Sequence, residues 1–210
     1  MRRSVPRRER SRQMCEDGGT SEARLGEMRI TGGEYGSRAL KVPKGTATRP
    51  TSDRVREALF SILGDRLVGA RVLDLYAGTG ALGLEALSRG ADSVVFVERS
   101  KEALTALHAN VDALGVRDRV RVLAVAVERA ARGVTGPFDL VFADPPYADV
   151  KTGAAVRALE EVAVPLLGAS ALLVLEHASR DAPPRVAGLE HHDPRTYGDT
   201  TVSFYAKLAP

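Results

Sequence analysis

The sequence predicts an α/β fold, a mostly parallel sheet with helices on both faces. Three observations carry this expectation. Short apolar runs recur from residue 71 onward, amphipathic helical stretches separate them, and a glycine-rich turn joins the first run to its helix. Strands that are apolar along most of their length belong to a sheet covered on both sides. A chain of 210 residues can close one such domain around its own core. Hydrophobic residues at 44% and charged residues at 27% are ordinary for a soluble globular protein. No stretch approaches the roughly 18 to 20 uninterrupted apolar residues of a membrane helix. The basic N-terminus is not followed by an apolar run, so no secretory signal is expected and a cytoplasmic protein is the starting point.

The front of the chain reads differently from its body. Residues 1–27 carry six arginines between Arg2 and Arg12, few apolar residues and a Gly18-Gly19-Thr20-Ser21 run, which predicts a disordered basic tail. Residues 28–43, MRITGGEYGSRALKVP, read as a short extended pair turning at Glu34–Ser37. After Pro50, Thr51 or Ser52 can cap a helix whose Val55, Leu59, Ile62 and Leu63 share one face. Residues 28–66 are thus expected to form a hairpin and helix, a basic collar on a domain spanning 67–210.

In that domain Arg71–Tyr76 predicts a first strand, followed by the glycine turn and an Ala/Leu-rich helix to about Ser88. Ser93–Glu98 predicts a second strand, and the next helix turns Leu104, Leu107, Val111 and Leu114 inward. Val120–Val125 and Phe138–Ala143 follow as strands three and four. A helix over 153–166, facing inward with Val156, Leu159 and Ala163, leads to a fifth strand at Ala171–Leu175. The remaining strand signals fall near 189–193 and at Thr201–Leu208.

Charge is distributed unevenly. The net charge is +3, yet residues 1–66 hold 15 Lys and Arg against 9 acids while the rest hold 15 against 18. A basic front on a mildly acidic body suits a polyanionic partner. Cys15 is the one cysteine, which excludes an internal disulfide and a cysteine zinc cluster. His108, His177, His191 and His192 have no metal-site spacing, so no metal is expected.

The glycine turn is Ala77-Gly78-Thr79-Gly80-Ala81-Leu82-Gly83, a literal G-x-G-x-x-G, with Glu98 at the end of the second strand. Small residues allow a cofactor to approach the backbone, and a second-strand carboxylate can accept bonds from a ribose diol. NAD and S-adenosylmethionine both carry adenosine, so the turn leaves both open, beside a purely structural turn. Asp74 favours S-adenosylmethionine, because a carboxylate at the first strand's end suits a positive methionyl group and repels a pyrophosphate.

Asp144-Pro145-Pro146-Tyr147 ends the fourth strand. Two prolines remove two backbone donors and stiffen the loop. Asp144 and the Pro145 carbonyl remain as acceptors, and Tyr147 offers a flat face to a base. Two acceptors can orient the hydrogens of an exocyclic amine while its lone pair faces a methyl donor.

Through these motifs the chain resembles the bacterial 16S ribosomal RNA guanine-N2 methyltransferases, a branch of the Rossmann-like S-adenosylmethionine-dependent enzymes. The resemblance spans roughly residues 28–208 and rests on RITGGEYGSRAL, RPTSDRVREALFSIL at 49–63, VLDLYAGTGALGLEALSRGA at 72–91 and FDLVFADPPY at 138–147. It implies a seven-stranded sheet with an antiparallel last strand and S-adenosylmethionine across Asp74, Ala77, Gly78, Gly80 and Glu98. It further implies catalysis by Asp144, Pro145 and Tyr147, guanine held with Pro146 and Tyr147, and Arg49, Thr51, Arg54 and Arg56 placing the nearby loop or RNA. The implied partner is 16S ribosomal RNA within a small-subunit assembly particle, met by a cytoplasmic monomer without a metal. Relatives often carry Asp or Asn after the third strand where this chain has Val125, so adenine is expected against backbone and apolar groups there. Two other functions fit the same residues: adenine-N6 methylation of DNA or RNA, and a non-enzymatic RNA-binding assembly factor that retains the fold.

Overall fold

The computed structural model describes residues 28–43 and 53–208. The tail expected at 1–27 lies outside them, as do Arg49 and Thr51. From Asp53 onward the elements are α1 (Asp53–Leu63), β1 (Arg71–Leu75), α2 (Ala81–Ser88), β2 (Ser93–Val97), α3 (Lys101–Leu114), β3 (Val120–Leu123), β4 (Phe138–Ala143), α4 (Tyr147–Lys151), α5 (Ala154–Ala158), β5 (Leu167–Ala178), β6 (Leu189–Tyr197) and β7 (Thr200–Lys207). The helix expected over 153–166 is a composite: α5 widens into a π turn at Leu159–Ala163 and tightens into a 3-10 turn at Val164–Leu166.

The seven strands form one sheet in the order β3-β2-β1-β4-β5-β7-β6. The first five run parallel, and β7 is antiparallel to both of its neighbours. The chain leaves β1 toward β2 and β3, then returns to place β4 on the other side of β1. That reversal opens a crevice at the carboxyl ends of β1 and β4, the position where sheets of this kind bind ligands. β5 is longer at both ends than Ala171–Leu175: Leu167 already pairs with Phe138 of β4, and β7 continues the ladder until Thr200 faces Ala178.

Successive strand residues feed opposite faces. Val72, Phe96, Leu140, Phe142 and Val174 pack with α1, α2 and α3 on one side. Leu73, Leu75, Val141, Leu173 and Leu175 pack with Leu159 and Val162 of the composite helix and with Val127 and Ala130 on the other. Ile30, Leu40, Val55 and Phe60 belong to the first of these cores, so the front segment shares the body's interior.

Residues 28–43 meet themselves in a single antiparallel bridge, Arg29 with Ala39, around a turn. Polar contacts fasten this segment to α2. Both carboxylate oxygens of buried Glu85 accept from Thr31, one from its amide and one from its hydroxyl, each at 2.7 Å. Arg89 closes the pair with Glu85 at 2.7 Å. The Ser88 hydroxyl accepts from the Tyr35 amide and donates to the Gly32 carbonyl. Asn110 of α3 is buried among apolar side chains; it exchanges two hydrogen bonds with the Lys41 backbone and donates a third to the Thr79 carbonyl in the glycine turn.

On α1 the expected face is rotated. Val55, Leu59 and Leu63 are buried, but Arg56 and Phe60 join them and Ile62 is 46% exposed. Spacings of four and three from Arg56 through Phe60 to Leu63 put the arginine on the apolar side. Its guanidinium is 0% exposed, donates to the Arg29 carbonyl and pairs with Asp53 at 2.7 Å. Of the two roles expected for Arg56, placing a nearby loop or placing RNA, the second is corrected and the first fits: a guanidinium closed to solvent ties the front segment to α1.

The glycine turn is shaped by close packing as well as by dihedral angle. A Cβ on Gly80 would lie 2.3 Å from a Leu107 methyl, and Gly80 has a φ of +81°. A Cβ on Gly83 would lie 2.3 Å and 2.6 Å from two atoms of the Phe96 ring. Beneath the turn, the Asp74 carboxylate is 2% exposed and accepts from the Gly83 amide at 2.9 Å. Burial pushes its pKa up to about 7, against the lowering effect of the Gly83 bond and with a further push from the charge of Glu98.

This packing makes two statements about stability testable. Gly83→Ala should destabilise the protein by about 1–3 kcal/mol, because the methyl meets an aromatic ring locked between sheet and helix; an unchanged denaturant midpoint would contradict it. Asp74 binds its proton more tightly folded than unfolded, so ionising it costs stability as pH rises from the ordinary aspartate range to about 7, and below that range the cost is absent. The advantage of Asp74→Asn over the unsubstituted protein should therefore grow by roughly 2–4 kcal/mol between pH 4 and pH 8. Urea unfolding at both pH values measures it, and an equal difference at each would refute the buried-charge account.

Candidate active site

A cavity of about 500 Å³ opens at the crevice beside β1 and β4. One wall is Glu98 and Arg99 beyond β2 with Val125–Glu128 beyond β3; the other is Asp144–Tyr147 beyond β4 with Glu176 of β5. The volume falls in the range of ordinary small-molecule sites.

Glu98 is held rather than loose. Its Oε2 accepts from the Gly78 amide at 2.8 Å, and its Oε1 accepts from the Arg99 and Ser100 amides at 2.7 Å each. The carboxylate therefore links the glycine turn to the start of α3, and lone-pair capacity remains on Oε2. Gly78 has a φ of +56° and open space where its Cβ would project, unlike Gly80 and Gly83. Of the five residues expected at the cofactor, Glu98 stands on the cavity wall. Asp74, Ala77, Gly78 and Gly80 are not among its lining residues: the Ala77 amide donates to the Val97 carbonyl, the Gly80 amide donates back to Ala77, and the Gly78 amide reaches the wall through Glu98.

The loop after β4 gathers the other expected residues. Asp144 and Tyr147 are partly buried, Pro145 is buried, and Pro146 is exposed at the amino end of α4. Burial drives the Asp144 pKa well above the usual aspartate range, and the nearby charges of Glu176 and Asp74 push it the same way. The Tyr147 hydroxyl lies 2.8 Å from the Thr200 hydroxyl at the start of β7, which anchors the far end of the ring at the cavity. Arg54 is exposed on α1, on the front segment with exposed Arg29, Arg38 and Lys41.

Four residues at or beside the site escape a reading of the sequence. Tyr76 lines the cavity with a φ of +61°, and burial, with the charges of Glu128 and Asp149, pushes its hydroxyl up to about 12. Thr200 anchors Tyr147, and Asn110 braces the glycine turn. Glu176 is 8% exposed and stands on the same wall as Asp144. An acid ending the apolar run Ala171–Leu175 is the same signal that Asp144 gives after β4, and a polar residue between Leu107 and Val111 could have marked Asn110. His177, beside Glu176, is buried inside β5 and lies 2.9 Å from the Ser203 hydroxyl, away from the cavity wall.

Val125 lines the cavity, together with Ala126 and Val127, as an apolar stretch beyond β3. Glu128 also lines it, at the start of a 3-10 turn that brings its side chain to the wall.

Comparison with known proteins agrees with this geometry. A family model described as Conserved hypothetical protein 95 matches residues 28–206. The ribosomal RNA small subunit methyltransferase D of Escherichia coli is 35% identical over 185 residues, covering 88% of this chain and 92% of that protein. The Bacillus subtilis protein YlbH, named as a candidate rRNA methyltransferase, is 37% identical over 185 residues, covering 86% of this chain and 99% of its own length. A solved Escherichia coli structure, the candidate methyltransferase yhhF, superimposes with a TM-score of 0.75 at 32% identity, over 88% of this chain and all (100%) of that one. The chain belongs to the Conserved hypothetical protein 95 family and has the Rossmann-like methyltransferase fold.

Proposed function

We propose that this protein transfers a methyl group from S-adenosylmethionine to the exocyclic N2 of a guanine in 16S ribosomal RNA. The observation that carries the proposal is one cavity with two unlike walls. A carboxylate bound to a glycine turn stands on one side, and the acceptor-rich Asp144–Tyr147 loop stands on the other. The relatives' names, which place them on ribosomal RNA and in one case on the small subunit, support the choice of polymer.

The residues suit the cofactor. Glu98 keeps acceptor capacity for ribose hydroxyls, Gly78 leaves space beside it, and Val125–Val127 offer apolar contact to adenine. Asp74 acts from beneath: it holds the turn through Gly83 and adds negative potential under a cationic donor. The cofactor supplies an electrophilic methyl group on sulfur.

The rest of the chemistry lies with the chain. A guanine must be unpaired or flipped to enter, and Tyr147, its hydroxyl anchored at Thr200, gives it a stacking face. Asp144 and the Pro145 carbonyl accept the amine hydrogens, which turns the nitrogen lone pair toward the donor. The methyl–nitrogen bond forms as the sulfur–methyl bond breaks, leaving a positive nitrogen that loses one proton. Asp144 is the acceptor, and its raised proton affinity suits that step. The exposed cations of residues 28–66, Arg54 among them, form the collar that meets RNA phosphates.

Asp144→Ala should retain most of the affinity for S-adenosylmethionine and slow methyl transfer by about 100-fold. Equilibrium binding and single-turnover kinetics separate the two effects, and equal losses in both would contradict the division of labour. In cells, mass mapping of 16S RNA should find one methylguanine missing without the gene, restored by the unsubstituted gene and not by the Asp144→Ala form. A complete set of methylguanines without the gene would refute the proposal. Arg54→Ala should weaken RNA binding uniformly and reduce the salt slope by about 1, the share of a single neutralised phosphate. A slope equal to the unsubstituted protein's would remove Arg54 from the interface.

A further inference from the structure

Glu176 has no part in the proposed transfer, yet it occupies the same wall as Asp144. The parallel register pairs Ala143 with Leu175, so Asp144 and Glu176 follow one residue later, side by side. Both continue the rows of Phe142 and Val174 on one face of the sheet. Glu176 lines the cavity although only 8% of it is exposed, a placement that a solvated strand end would not need.

We propose that Glu176 reads the edge of the target base and selects guanine by accepting its ring N1–H. This inference rests on the proposed guanine-N2 reaction and adds a residue to it. Guanine presents N1–H directly beside its N2 amine, whereas adenine presents an unprotonated ring nitrogen beside its N6 amine. With Asp144 and the Pro145 carbonyl holding the amine hydrogens, the next group along the edge is the ring nitrogen. A carboxylate there receives a hydrogen bond from guanine and meets a lone pair on adenine. The three donors of guanine's edge thus match three acceptors: Asp144, the Pro145 carbonyl and Glu176. Leaving a buried acceptor opposite a lone pair is the kind of mismatch that lets a polar site reject an analogue strongly.

The test uses 16S RNA assembled from ligated fragments, with guanine or 2-aminopurine at the position the enzyme methylates. 2-Aminopurine keeps the N2 amine but carries an unprotonated N1. The unsubstituted enzyme should prefer guanine by about 100-fold or more in kcat/KM. Glu176→Gln, whose amide can donate to the bare N1, should lose most of that preference, slowing on guanine while gaining on 2-aminopurine. A cooperative unfolding transition and retained S-adenosylmethionine binding show that the fold is intact. A preference preserved in Glu176→Gln, with both substrates slowed alike, overturns the inference and makes Glu176 structural. Equal rates of the unsubstituted enzyme on the two bases overturn it without recourse to any variant. Failure of the underlying reading looks different: the unsubstituted enzyme then puts no methyl on guanine N2 of 16S RNA, or puts it on adenine N6.

Discussion

Three adjacent parallel strands, β1, β4 and β5, carry Asp74, Asp144 and Glu176 on one face at their carboxyl ends, and the site is organised around that crowding. Parallel strands joined through helices bring their carboxyl ends to one edge, so acids at these positions converge although they are far apart in the chain. Burial is unfavourable for each charge, and the neighbours make it worse. The result is visible in Asp144, whose proton affinity is raised by burial and by the charges of Glu176 and Asp74; Asp74 is raised by burial and by Glu98. The sheet tolerates the arrangement because the apolar layers on both faces hold the strands in register, and because Gly83 supplies an amide hydrogen to Asp74.

The glycine turn is where this sheet edge meets the front of the chain. Gly80 and Gly83 are needed for contact with Leu107 and Phe96, so two of the three glycines serve helix–sheet packing and Gly78 alone has open space where its Cβ would project. Asn110 then joins the turn to Lys41, while Glu85 and Ser88, on the helix that the turn begins, hold Thr31 to Tyr35. The collar proposed for RNA is thus bolted to the element that carries Glu98's partner. A backbone shift in residues 28–43 has a short polar route to the cavity wall.

The parallel core is legible in the sequence because apolar runs and helical spacing report burial directly. Asp74 and Asp144 are legible for a related reason: each is an acid at the end of an apolar run beside a glycine or proline motif. Glu176 carries the same mark, but with no motif after it the run reads as ending at Leu175; the length of β5 is set by pairing with β7, which local periodicity does not reveal. Arg56 misleads because charge on a helix is ordinarily solvated, whereas here its spacing to Phe60 and Leu63 is the apolar spacing and Ile62 is the residue turned outward. The glycine pattern suggests ligand approach throughout, and nothing in the sequence alone tells Gly83's contact with Phe96 from space for a cofactor.

Under the proposed reaction the acid cluster has a role at each stage. A positively charged donor is attracted to Glu98 on the wall and to Asp74 beneath the turn, in a partly desolvated site where electrostatic interactions are stronger than in water. The base enters by donating its edge hydrogens to Asp144, the Pro145 carbonyl and Glu176, which eases the repulsion between the two carboxyls. Once the methyl group has moved, positive charge resides on the base nitrogen beside Asp144, and the donor's remnant is neutral at sulfur and less attracted. Proton loss to Asp144 then removes the charge from the base as well. The site therefore binds its reactants through charge and hydrogen bonds that the reaction itself diminishes, which gives a physical reason for product release from a pocket with no covalent intermediate.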